Sequence, residues 1–192
     1  NPRTLLSNAT DGYQRYWFRA WGLLPRWQHR PEQPADLKPE GLSELKLTWY
    51  SDHIEHRGIA RLLEPMLAAQ GVRLITQEVD YESWYHGATK SDLWLGSVNF
   101  TLPLAFSVFA LLHELPLLHH CIDIDWENDA GRWRQQTLPL AEWCKKLIDN
   151  HYLHPLFHHW LLLEGQRSMR GVRMNTLGWF DFKSAWFAPP ET

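Results

Sequence analysis

The chain has 192 residues, of which 44% are hydrophobic and 21% charged, a balance that fits a folded domain and excludes a disordered one. Its formal net charge is -3 and its pI about 6.4, so nothing draws it to nucleic acid or to an anionic membrane. The apolar run Leu102–Leu112 is interrupted by Pro103 and is too short to span a bilayer.

Residues 1–41 form an aromatic-rich segment and linker. Tyr13, Tyr16, Trp17, Phe18, Trp21 and Trp27 surround Gly22-Leu23-Leu24-Pro25, and the three prolines of Pro31–Pro39 read as a surface linker. No signal peptide is visible, but the chain starts at Asn1, so the native N-terminus is expected to have been removed.

The main unit follows, over 42–166. Leu45–Tyr50 alternates aliphatic and polar residues and predicts a strand. Asp52 and Glu55 have capping-box spacing for a helix. Ile59, Leu62, Leu63, Met66 and Leu67 then recur at three-and-four spacing up to Gly71, placed as a C-cap glycine, and Pro65 predicts a kink. Val72–Val79 predicts a second strand, Tyr81–His86 a turn or two of helix, and Asp92–Val98 a third strand. Strands alternating with helices imply an α/β fold with a mainly parallel sheet and right-handed crossovers.

Leu102–Leu115 predicts a buried helix started by Pro103, with Leu104, Val108 and Leu111 on one stripe. Ile122–Gln136 is polar and mixed. Leu138–Asn150 is an amphipathic helix, and His154–Gln166 holds a strand centred on Trp160–Leu163. Gln166–Arg173 reads as a basic turn. Residues 167–192 form an aromatic tail with Trp179, Phe180, Phe182, Trp186 and Phe187.

Chemistry-bearing patterns are weak. Eleven histidines suggest a metal, but the pairs His119-His120 and His158-His159 would point to opposite sides of a strand or loop, and no HExxH or paired CxxC spacing exists. Asp123, Asp125, Glu127 and Asp129 imitate a calcium loop but lack its central glycine and terminal glutamate, so a solvated loop is expected. Cys121 and Cys144 read as reduced, mostly buried thiols. With no GxSxG and no phosphate-cradling glycine loop, no catalytic residue, metal or cofactor is assigned.

Ligands of parallel α/β sheets sit beyond the carboxyl ends of the strands. That rule selects Tyr50, Ser97, Asn99 and Thr101 as a ligand rim. Their neutral donors suit a sugar or sugar phosphate better than a cationic amine.

Several stretches together resemble known families. Leu45–Val79 followed by Ser91-Asp92-Leu93-Trp94 resembles the second large lobe of family-5 extracytoplasmic solute-binding proteins, the oligopeptide and nickel binders of ABC transporters. The tail, Gly165-Gln166-Arg167-Ser168-Met169-Arg170-Gly171 and then Met174–Ala188, resembles the C-terminus of the SgrR family of bacterial transcriptional regulators. Asn99-Phe100-Thr101-Leu102-Pro103-Leu104 and His158-His159-Trp160 do so as well. That resemblance implies a periplasmic-binding-protein-like lobe in a cytoplasmic regulator, sensing a small molecule such as a sugar phosphate and activating a small-RNA gene under sugar-phosphate stress. DNA would be bound only by a winged-helix domain that this chain lacks. The alternative is a periplasmic solute-binding component of a transporter. In that family the final segment packs back on the first lobe. Here it is expected to pack on the N-terminal cluster or to pair two chains.

Overall fold

A strand whose two faces are both apolar organises the structure. The computed structural model describes residues 17–25, 27, 41–101, 104–159, 165–175 and 179–189. Strand β1 is Trp17–Arg19 and β2 is Glu44–Tyr50. In β2, Leu47 and Trp49 are buried, and so are Thr48 and Tyr50 that alternate with them. Such a strand needs cover on both sides and belongs in the middle of a parallel sheet.

That is where it lies. Helix α1 (Ile54–Ala68) leads to β3 (Arg73–Val79), and the short helix α2 (Tyr81–Tyr85) leads to β4 (Leu93–Leu95). The strand order is β3-β2-β4, parallel throughout, with Tyr50 opposite Val79 and Trp49 opposite Leu95. The α/β expectation holds in a sheet of three strands. Strand β4 is shorter than the run Asp92–Val98 at both ends: Gly96, Ser97 and Val98 lie beyond it, and Asp92 and Ser91 meet β2 through their side chains just before it. The Asp92 carboxylate accepts from Lys46 N–H at 2.8 Å, and the Ser91 hydroxyl lies 2.9 Å from buried Thr48 Oγ1.

Helix α1 runs through Pro65, whose missing N–H leaves the Arg61 carbonyl without its helical donor. The expected capping box does not form. His53 is the N-cap, one residue after Asp52, and no side chain caps the helix. At the other end, Gly71 takes φ 75° while Val72 N–H donates to Leu67 and Gly71 N–H to Ala68. This is a Schellman closure that glycine makes without strain. The apolar face of α1 buries Ile59 and Ala60 against Leu47, Trp49, Leu74 and Leu95. Each large aliphatic chain so buried contributes about 1.5–3 kcal/mol.

The second core is helical. It uses α3 (Leu104–His113), α4 (Pro116–Cys121), α5 (Trp126–Arg134) and α6 (Leu140–Asp149). The α3 stripe differs from expectation: Val108, Phe109 and Leu112 are buried while Leu111 is exposed. In a run apolar all round, neighbouring elements choose the inner face. The acidic alternation is a helix start, not a solvated loop. Asp125 caps α5 by accepting from Asn128 N–H at 3.0 Å, and Asp129 accepts from Trp143 Nε1 at 2.8 Å. His119 and His120 lie on helix α4, where His119 stacks on Trp126 with ring centroids 4.4 Å apart. Cys144 is buried, and burial pushes its thiol up to about 12, whereas Cys121 is exposed, contrary to expectation.

Strand β5 (Phe157–His159) pairs antiparallel with β1. The expected strand centre Trp160–Leu163 and the Pro31–Pro39 linker lie outside the described residues. The tail folds on itself: β6 (Met169–Arg170) pairs with β9 (Trp186–Phe187), and β7 (Arg173–Met174) with β8 (Phe180–Asp181), both antiparallel. Gly171 takes φ 80°, and a Cβ there would fall 1.9 Å from the Ser184 carbonyl oxygen. Only glycine permits that approach.

Candidate ligand-binding rim

Strand order places a switch point between β2 and β4, since the chain leaves β2 for β3 on one side and returns to β4 on the other. The carboxyl ends of these two strands are Tyr50 and Leu95, with Gly96-Ser97 directly beyond. Crevices of parallel sheets open at such points.

Tyr50 and Ser97 meet there. The Tyr50 phenol donates to the Ser97 carbonyl at 3.2 Å and accepts from Ser97 N–H at 3.3 Å. Burial raises its pKa, so the phenol stays protonated as this double contact requires. His56, one turn inside α1 and 2% exposed, joins the same pair. Its Nε2 lies 2.9 Å from Ser97 Oγ and its Nδ1 a long 3.5 Å from the Tyr50 carbonyl. A carbonyl only accepts, so Nδ1 carries the proton and Nε2 accepts the Ser97 hydroxyl. Burial first, and then neighbouring His53, hold His56 below its ordinary pKa and keep it neutral.

Aromatic rings close the surroundings. Tyr50 lies 4.7 Å from Trp84, 5.3 Å from Tyr81 and 5.4 Å from His53, centroid to centroid. A Cβ on Gly96 would come 2.2 Å from Trp84 Cζ2, so glycine lets the β4 end lie flat on the indole. The buried Trp84 Nε1 donates to no partner among the described residues.

Two of the four rim residues are therefore brought together and two are not. Asn99 is exposed in a segment without regular structure, and Thr101 contributes its carbonyl, which accepts from Ser107 Oγ at 2.9 Å. Sequence reasoning missed His56, Trp84 and Gly96. The usable signal was His56 three residues after His53, directly beyond a strand end and pointing inward one helical turn later. Among the described residues, no group of three or more His, Cys, Asp or Glu is placed to hold a metal.

No protein-family model matches the chain. Individual proteins do. It is 57% identical over 192 residues, all of this chain, to an HTH-type transcriptional regulator SgrR of Pectobacterium atrosepticum. It is 58% identical over 190 residues to the protein of that name in Yersinia pestis, and 56% over 191 residues to that of Salmonella choleraesuis. The chain is a relative of the SgrR regulators. It spans 34–35% of the length of these SgrR proteins, about a third. The match runs through Tyr50, Ser97 and the tail alike, so the whole described structure lies in SgrR-like sequence.

Proposed function

We propose that this chain is the ligand-sensing part of a cytoplasmic transcriptional regulator, with a small polar molecule, a sugar phosphate in our reading, bound at the β2–β4 switch point. The whole-chain identity to proteins named HTH-type transcriptional regulator carries the regulatory half of this reading. The same resemblance implies activation of a small-RNA gene under sugar-phosphate stress, through a DNA-binding domain outside this chain.

The ligand half rests on the parallel sheet and its switch point. In the described arrangement Tyr50, Ser97 and His56 satisfy one another, so they form the wall of a site rather than its free donors. Asn99, exposed beyond them, and the orphaned Trp84 Nε1 are the groups left to address a ligand. The lobe is periplasmic-binding-protein-like in this reading, and a second lobe would complete the cleft. Calorimetry of the intact regulator with sugar phosphates tests it. Binding that weakens about ten-fold in Asn99→Ala is expected, and a loss of that size corresponds to about 1.4 kcal/mol. Affinity unchanged by Asn99→Ala would remove Asn99 from the site, and no heat with any sugar phosphate would remove the ligand class.

A further inference from the structure

Tyr50, Ser97 and His56 donate to one another in a closed circuit. The Tyr50 phenol donates to the Ser97 carbonyl at 3.2 Å, the Ser97 hydroxyl to His56 Nε2 at 2.9 Å, and His56 Nδ1 back to the Tyr50 carbonyl at 3.5 Å. The Ser97 N–H is consumed as well, since it donates to the Tyr50 phenol oxygen at 3.3 Å. His56 fixes the direction of the circuit. The opposite tautomer would set a bare Nδ1 against the Tyr50 carbonyl, lone pair facing lone pair, around a side chain that is 2% exposed.

The hydrogens are therefore spent inside the wall. What it keeps for another molecule are lone pairs, on Ser97 Oγ and on the Ser97 carbonyl. The sequence predicts neutral donors at Tyr50 and Ser97, and the fold turns both into acceptors. Of the three residues, Ser97 is the one partly exposed, while Tyr50 and His56 are buried. The surrounding field has the same sign as the lone pairs. Burial raises the Tyr50 pKa most, and Tyr81, Asp52 and Glu55 add to it electrostatically. His53, 5.4 Å from the Tyr50 ring, does not reverse that field, because its Nδ1 lies 3.8 Å from the Glu55 carboxylate.

We propose that Ser97 is the specificity-determining contact of the rim, accepting a hydrogen bond from a hydroxyl of the sugar, and that the phosphate of the ligand lies away from the Tyr50–Ser97–His56 wall. The inference rests on the sugar-phosphate reading above and adds the orientation of the ligand to it. An acceptor wall flanked by carboxylates repels a phosphate and leaves its oxygens unpaired. A hydroxyl supplies the hydrogen that the wall lacks. Asn99, further along and exposed, carries amide N–H donors and suits the anionic end.

Calorimetry of the intact regulator tests it, with hexose phosphates as probes beside their deoxyfluoro analogues, in which one hydroxyl at a time gives way to a fluorine that cannot donate. Replacement at one ring position is expected to weaken binding to the wild type at least about ten-fold. Ser97→Ala keeps both backbone contacts to Tyr50. It is expected to bind the parent as weakly as the wild type binds that analogue, and no longer to tell the two apart. Circular dichroism confirms that the variant folds, and the analogue series on the wild type stands without it. Hexose phosphates that bind but lose nothing at any fluorinated position would overturn the inference and leave the ligand class in place. So would an equal loss in the wild type and in Ser97→Ala. No binding by any hexose phosphate would overturn both.

Discussion

His56 shows how one side chain can tie two strands and a helix at the rim. Held neutral, it accepts from Ser97 while Tyr50 grips the backbone of the same serine. Its pKa is lowered in the fold by burial, so the unfolded chain takes up its proton first as pH falls. The stabilising contribution is therefore complete above about pH 6.5 and is lost as pH drops through the lowered folded value. His158, lowered by burial as well, adds in the same direction. Urea denaturation is expected to show stability falling from about pH 7.5 to about pH 5.5, by up to about 1.4 kcal/mol per pH unit for each proton taken up. His56→Gln should flatten that slope. A slope identical to wild type would mean His56 is not the titrating group.

At the scale of elements, polar contacts rather than apolar area fix which helices meet in the second core. Helix α5 offers Asp129 and helix α6 offers Trp143, joined at 2.8 Å, with Arg132 3.7 Å from the same carboxylate. Their apolar neighbours would tolerate several relative rotations, but one indole N–H and one carboxylate do not. Trp143→Phe keeps most of the packing and strands a largely buried carboxylate, a loss of about 1–3 kcal/mol. Asp129→Asn retains an acceptor and should cost less. Denaturation midpoints of the two variants check this, and equal losses would mean that the bond contributes no specificity. The same logic applies where β4 begins. Asp92 and Ser91 serve β2 with their side chains just before Leu93.

The chain carries its charges apart, with a cationic tail over 165–189 and an acidic stretch over 41–159. A net charge of -3, with no clustered basic helix among the described residues, predicts that this chain alone does not bind DNA specifically. A gel shift at physiological ionic strength should show no sequence-dependent complex, and a salt-sensitive specific band would contradict the assignment of DNA binding to another domain. The α/β order was legible locally, since β2, α1, β3 and α6 each carry their own periodicity, and Gly71 announces its turn. The places of Tyr50 and Ser97 at neighbouring strand ends were legible too, because parallel-strand ends can be counted along a chain. What the sequence could not determine is any choice between equally apolar faces or equally polar partners. The inner face of α3, the capping role of Asp125, the bond from Trp143 to Asp129 and the burial of His56 against Ser97 all depend on residues far along the chain. Periodicity records that a side can be buried. Only tertiary packing decides against what, because the energies that choose belong to pairs of elements and not to either one.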